Sequence, residues 1–448
     1  MVSERLLAWV GGLSLVLGAV FFLSLAFSRG WIGPSARVVI GLAGGTLVLG
    51  LGGWFFERRE ALLGHVLVAS GLGINSISLF AATRLYELIP VYLALAGTLV
   101  MAVAAAVIAI RANTEIVATY GLIAALAAPP VLGAMPNGTT VAYVSVILIG
   151  TTLIALYRAW RLLPPVAFIL AVPQISDWVI NTHALISPLI ALAGFWAVNA
   201  VASGGEEFRI RRNVLSPISA ILLLANAAFL ISAGFAVLDG SREGWRGTFL
   251  LVTALAHFAL GGYFLRAEGE RHPFGLLATG TGLAALTMAV PVQFGGPWVP
   301  LAWAAEATAL AWIYAERRNG FSGGAAIVLG ALAIGHIVTI EYPLTDISHG
   351  QPSHSPFING AGGTVAFLLA ALLVAAWFLR SRDIRGALAA TGLLLVSYAL
   401  PFELSSLWLL GAWSGLFVLS VVFARRVVPL LPYYAEPIEP AAPVTGSA

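Results

Sequence analysis

The stretches TGLAALTMAVPVQFGGPWVPLAW (281–303) and TGLLLVSYALPFELSSLWLLGAW (391–413) align without a gap. They share Gly282 with Gly392, Pro291 with Pro401, Trp298 with Trp408 and Trp303 with Trp413. Each reads as an apolar helix rising to a proline, a turn anchored by tryptophan, and a second apolar helix descending to paired arginines, Arg317–Arg318 or Arg425–Arg426. Tryptophan concentrates at membrane–water interfaces, and arginine at the far end of the same helix marks the opposite surface. The unit is a transmembrane hairpin. GLGINSISLFAATRLYELIP (71–90) is a fainter copy. All copies point the same way, so parallel repetition is expected; the inverted repeats of many transporters are not visible. The competing account is convergence of membrane hairpins on Gly, Pro and interfacial Trp.

A helix needs about 20 apolar residues to cross ~30 Å of hydrocarbon. By that ruler the chain holds about sixteen spans, with a range of about 14–16, centred near residues 17, 44, 72, 101, 124, 148, 171, 192, 226, 255, 283, 307, 332, 369, 393 and 414. Composition agrees: of 448 residues, 60% are hydrophobic and 10% charged, with mean hydropathy +0.95, whereas soluble domains are about a quarter charged. The expected fold is an all-α membrane protein built from repeated two-helix hairpins. Residues 1–426 form one polytopic domain, and the Pro-rich tail 427–448 is expected to be disordered.

Arginine orients the chain. All 23 basic residues are arginine, and 18 of them fall before the first span or after every second one, against five (Arg29, Arg37, Arg84, Arg242, Arg246) near the other side. The positive-inside rule then puts both termini in the cytoplasm. The net charge of +3 reflects this topology, and no contiguous basic face suggests nucleic acid. With no cysteine and no lysine, disulfides, thiol nucleophiles, Walker-type phosphate loops and Schiff-base chemistry are excluded. Glycine numbers 48 and clusters inside spans, as at 41–53, where Gly41 and Gly45 have the GxxxG spacing that lets helices approach closely in lipid.

Residues 12–90, including GLSLVLGAVFFLSLAFSRGWIGPSARVVIGLAGG and the GLGINSISLFAATRLYELIP block, together with PWVPLAWAAEATALAWIYAERR (297–318), resemble the bacterial predicted-membrane-protein family catalogued as domain of unknown function 2339. The resemblance implies a multi-span bacterial envelope protein. It brings no established activity and no catalytic residues.

Ionisable groups inside spans are functional candidates because each costs several kcal/mol unless paired or hydrated. Arg37 and Glu306 lie at matched depth below Trp31 and Trp298, about 9 and 12 Å at 1.5 Å per residue. They are read either as an anion site opposed by a carboxylate or as an ion pair holding two spans together. Asp177, Glu341 and Glu403 lie near outer ends of spans, and Arg84 and Glu87 flank Tyr86 at another. His336 and Glu341, five apart, do not share a face of a continuous α-helix and are read separately. His257 is read as a core histidine bonded to a carbonyl or hydroxyl, and His349 and His354 as ordinary loop histidines. Apart from His257 and His65, the embedded charges form a layer in the outer half of the bilayer.

Three functions remain open. The favoured one is a carrier or flippase-like transporter of an anionic or lipidic envelope metabolite. A non-catalytic scaffold or assembly subunit would use the same charges to join helices. A membrane enzyme acting on lipid-linked sugars or lipids would need a second acid near Glu306 or Asp177; HExxH and DxD motifs are missing from the sequence, so the non-enzymatic readings lead. Expected partners are membrane lipids, an anionic or lipidic small molecule and another membrane protein. No catalytic residue, cofactor or metal enters the reading.

Overall fold

A computed structural model of the protein describes Phe21 and residues 29–30, 32–58, 60–209, 215–269, 272–317, 320–345, 359–379, 381–404 and 406–427. The span expected near residue 17, His349, His354 and the tail from 428 lie outside the described residues.

Among the described residues there are fifteen α-helices and no strand. They are α1 (Pro34–Glu57), α2 (Ala61–Phe80), α3 (Val91–Ala112), α4 (Glu115–Leu132), α5 (Gly138–Arg158), α6 (Leu163–Asn181), α7 (Ile186–Arg209), α8 (Pro217–Val237), α9 (Arg246–Ala267), α10 (Pro273–Gln293), α11 (Trp298–Arg317), α12 (Gly320–His336), α13 (Gly360–Phe378), α14 (Arg382–Glu403) and α15 (Ser406–Val427). Each falls on one expected span. Thirteen helical segments are long and apolar enough to cross a membrane. The two that fall outside that set are α11, which carries Glu306, and α15, whose apolar stretch Leu407–Val422 is shorter.

The chain forms two compact units, residues 1–283 and 284–448. In the first, α2, α4, α6 and α8 pack in a continuous row, with α5 also lying against α6 and α7. The row carries much of the core: Val68, Leu122, Ala125, Leu126, Ile175 and Leu230 are buried there. The most extensive packing in either unit joins helices across arginine-side turns, α1 with α2, α3 with α4, α7 with α8, and α11 with α12. The Pro/Trp hairpins are therefore not the tightest helix pairs.

The α1–α2 contact explains the glycine spacing. A Cβ at Gly71 would stand 2.6 Å from the Leu49 nitrogen and 2.8 Å from the Gly45 oxygen, and one at Gly52 would stand 2.8 Å from the Val68 nitrogen. The two backbones touch where a side chain would hold them apart, which is how helices gain dispersion contacts in lipid. Gly41 and Gly45 face Ser78 and Asn75 of α2, so the partner of the GxxxG spacing is the next helix in the chain.

Prolines inside spans create a second packing rule. A proline lacks the N–H that would bond the carbonyl four residues earlier, and hydrocarbon offers no water in its place. In α4, Pro129 and Pro130 free the carbonyls of Ala125 and Leu126. The Tyr143 hydroxyl of α5 donates to Ala125 O at 3.0 Å, and Gln174 Nε2 of α6 donates to Leu126 O at 2.7 Å. Two neighbouring helices are thereby tied to α4 through polar bonds deep in an apolar core.

At the arginine-rich ends, acids fasten one helix to the start of another. Glu115 Oε1 accepts from Leu162 N and Leu163 N at 2.5 and 3.2 Å, and Glu207 Oε1 accepts from Ser216 N at 3.0 Å. Arg161 pairs with Glu206 at 2.8 Å.

Candidate functional site

The same proline rule builds the polar centre of the second unit. In α10, Pro291 frees the Thr287 carbonyl, and Trp303 Nε1 of α11 donates to it at 3.0 Å. In α14, Pro401 frees the Ser397 carbonyl, and Trp413 Nε1 of α15 donates to it at 3.3 Å. The proline and the tryptophan twelve residues later are two halves of one device. Thr287 is used twice, because its hydroxyl also donates to Glu306 Oε2 at 3.0 Å. Glu306 is half-buried in α11, held on the side facing α10.

Trp303 also meets His336 of α12 edge-on, with ring centroids 6.0 Å apart. Here the helix departs from α geometry. Residues Ile337–Glu341 form a π turn, closed by Tyr342 N donating to Ile337 O at 2.8 Å. The five-residue spacing that separates His336 from Glu341 on a continuous α-helix spans this wider turn. His336 Nε2 and Glu341 Oε1 therefore lie 3.7 Å apart, with side chains 11% and 12% exposed. The two are neighbours, which corrects the α-helical reading.

The π turn also delivers Tyr342 to a buried acid. Glu403, 1% exposed at the end of α14, accepts from Tyr342 Oη at 2.5 Å and from Asn359 Nδ2 at 3.0 Å on each carboxylate oxygen. Asn359 caps α13 at the same time, its Oδ1 accepting from Gly362 N at 2.7 Å. Tyr398 Oη closes the turn by donating to Tyr342 O at 2.6 Å. Burial, then Glu403 and Glu341, push the Tyr342 phenol far above its ordinary range, so this hydroxyl stays a donor. Tyr342, Asn359 and Trp303 are the site residues that single-residue inspection passes over; Glu403 reads there only as an acid near a span end. The signal within reach was the proline–tryptophan spacing.

The first unit holds a parallel construction. Ala81–Leu85 is a π turn closed by Tyr86 N donating to Ala81 O at 2.8 Å, and Tyr86 Oη accepts from Arg37 Nη1 at 3.3 Å. Arg37 Nε donates to Ile32 O at 2.8 Å. The preceding threonines, Thr83 and Thr339, each donate to the carbonyl four residues back, at 2.8 and 2.7 Å. Arg84 is exposed, with its guanidinium against Gly133 at the end of α4, where the helix dipole favours a cation. Glu87 is exposed and has φ 52°, a left-handed conformation. Asp177 is exposed and accepts from Asn181 Nδ2 at 2.7 Å. His257 is buried, its Nδ1 paired with Thr253 O at 2.8 Å and its Nε2 with Trp196 Nε1 at 3.2 Å. An indole can only donate, so Nε2 is the acceptor and the proton sits on Nδ1.

Below the polar centre of the second unit runs an apolar crevice of 550 Å³ between α11, α12, α13 and α14. It extends from Tyr314, Gly320 and Leu379, near the arginine-rich turns, to Ala304, past the level of Glu306, and to Ile334, two residues short of His336, while the Glu306 carboxylate is turned to Thr287 of α10. Its wall is largely Gly, Ala and Leu, and Leu368 of that wall belongs to the same buried cluster as Ala333, Ile337 and the Tyr342 that bonds Glu403. Among the described residues, no three His, Asp or Glu side chains stand together as a metal site would need.

These helices, with ionisable groups partnered inside apolar spans, define a multi-pass helical membrane protein. Residues 3–430 match the family described as predicted membrane protein (DUF2339), and the chain belongs to that family. The match runs far beyond the stretches in which the likeness is legible by eye. No curated protein and no solved structure matches the chain.

Proposed function

We propose that the protein is a carrier, flippase-like in accepting an anionic or lipidic envelope metabolite, with Glu306, His336 and Glu341 as its substrate-facing polar groups. The observation supporting this is the apolar crevice of the second unit, which runs along α11 past the level of Glu306 to Ala304 and along α12 to Ile334, two residues short of His336. An amphiphile would lay its apolar part against the Gly/Ala wall and bring its polar part to the layer above. The orientation is part of the reading: arginine-rich ends and both termini in the cytoplasm of a bacterial inner membrane.

The repeated hairpin supplies the test. The residue aligned with Glu306 in the second hairpin is Leu416, so an aliphatic side chain is tolerated there by the same Pro/Trp frame. Purified protein is reconstituted into liposomes containing a fluorescent phospholipid, and transbilayer movement is followed by quenching from outside. The expected result is movement with the wild type, and the rate of empty liposomes with Glu306→Leu at an unchanged thermal midpoint. A Glu306→Leu protein that still moves lipid would remove this acid from the reading.

Orientation is checked in cells. The chain has no cysteine, so a single cysteine replacing Ser241 should react with an impermeant maleimide, and one replacing Asn113 should react only after lysis. A scaffold role is the second reading. It is favoured by Arg37 and Asp177, whose partners Ile32, Tyr86 and Asn181 are protein groups close to the same helix ends.

A further inference from the structure

The first unit carries a second large apolar opening, a groove of 630 Å³ between α7 and α9 with α8 behind it. Its chemistry changes along its length. At the arginine-poor end sit Arg242 and Trp245, from the short 3-10 helix Gly240–Trp245. Below them the wall is aliphatic and aromatic, and it ends near Ala197, Thr253 and Ala256 with Trp196 at the floor. From Arg246 to Ala256, α9 advances about 15 Å at 1.5 Å per residue. That is half of the ~30 Å hydrocarbon thickness, the depth of one leaflet.

Charge at the mouth is equally specific. Arg242 is the single ionisable side chain among the lining residues. The nearby acids Asp239 and Glu243 are engaged by Arg246, at 2.8 and 3.5 Å. Arg242 donates to a neutral group, the His183 carbonyl, at 3.3 Å. Among the described residues its half-buried guanidinium lines the groove mouth in ion-pair contact with neither acid, although the two acids and two arginines at this end sum to zero charge. Trp245, 65% exposed, stands beside it in the position an interfacial indole takes at headgroup level. The floor offers no competing polar chemistry, because the Trp196 indole and both nitrogens of His257 are already used.

We infer that this groove binds one anionic phospholipid, its phosphate on Arg242 and one acyl chain between α7 and α9 down to Ala197. The occupant is set by the join of the two parts: a cation at interfacial depth above a leaflet-deep apolar channel. The groove shares no lining residue with the crevice of the second unit, and the inference holds whether or not the chain moves a substrate.

The test uses the purified full chain in detergent, exposed to dioleoyl-phosphatidylglycerol or dioleoyl-phosphatidylcholine, which share their acyl chains. Retained lipid is counted by native mass spectrometry. The wild type should retain phosphatidylglycerol roughly tenfold better, the size of one charge-assisted bond. Arg242→Gln should erase the preference without lowering phosphatidylcholine retention, and Arg242→Lys should keep most of it. Ala197→Phe, which fills the channel, should lower retention of both lipids, and Ala193→Leu serves where that variant does not fold. Equal retention by the wild type, a preference surviving Arg242→Gln, or a filled channel that retains lipid as before would each overturn the assignment. Displacement of phosphatidylglycerol by inorganic phosphate alone would do so too, since the acyl chain would then contribute nothing.

Discussion

The two proline–tryptophan hairpins of the second unit share a frame and differ in chemistry. In both, a proline strips one carbonyl of its helical N–H and an indole replaces it across the hairpin, Trp303 to Thr287 and Trp413 to Ser397. In the first hairpin the acid stands on the descending helix, as Glu306, and leans on the hydroxyl of that same Thr287. In the second the acid stands at the top of the rising helix, as Glu403, and is gripped by Tyr342 and Asn359. Each acid aligns with a neutral residue in the other hairpin, Leu416 for Glu306 and Gln293 for Glu403. The frame solves a backbone problem that any span with an internal proline must solve. The acids are additions to it, placed differently, so the frame does not require them where they are.

The largest effect should come from the better-buried acid. Glu403→Ala leaves the Tyr342 hydroxyl and the Asn359 amide without their acceptor in an apolar setting, and each orphaned buried group costs about 1–3 kcal/mol. A loss of roughly 3 kcal/mol is expected, read as a large fall in the thermal midpoint in detergent. Glu403→Gln keeps an acceptor oxygen, as Gln293 does in the sister hairpin, and should recover most of that loss. If the glutamine variant unfolds as readily as the alanine variant, the negative charge itself holds the site together.

Next in size is Trp303→Phe. It removes the one N–H offered to the Thr287 carbonyl and should cost about 1–3 kcal/mol. Combining it with Pro291→Ala sharpens the point, since alanine restores an N–H at position 291 that can bond Thr287 O within α10. The tryptophan change should then cost much less in the alanine background than alone. A double-mutant cycle that gives simple additivity would mean that the indole acts by packing and that the proline–tryptophan spacing is incidental.

Much of the fold was open to reading from residues. Apolar run lengths locate the helices because hydrocarbon thickness is a fixed ruler, and Pro291, Pro401, Trp303 and Trp413 stand in register in the sequence. Why they recur is visible only when the indole meets the freed carbonyl. The π turns were harder. Thr83, Tyr86 and Leu88 match Thr339, Tyr342 and Leu344, but three matches in six positions do not announce an extra residue per turn, and without it His336 and Glu341 fall on different faces. Glu403 was visible as an acid at a span end, indistinguishable there from Asp177. What separates them is tertiary: Asp177 leans on its own helix through Asn181, whereas Glu403 draws donors from two other segments.

The smallest effect belongs to Trp413→Phe. Its bond to Ser397 O is longer, 3.3 Å, and the side chain is 43% exposed, so less apolar burial enforces the need for a partner. A cost below about 1 kcal/mol is expected, again suppressed by restoring the N–H with Pro401→Ala. The ordering of the two tryptophans separates burial from bonding as the cause. Both indoles answer the same backbone defect, so equal costs would say that the missing N–H decides the energy. A clear excess at Trp303 would say that the same defect is expensive only where protein, rather than a mobile surrounding, closes over it.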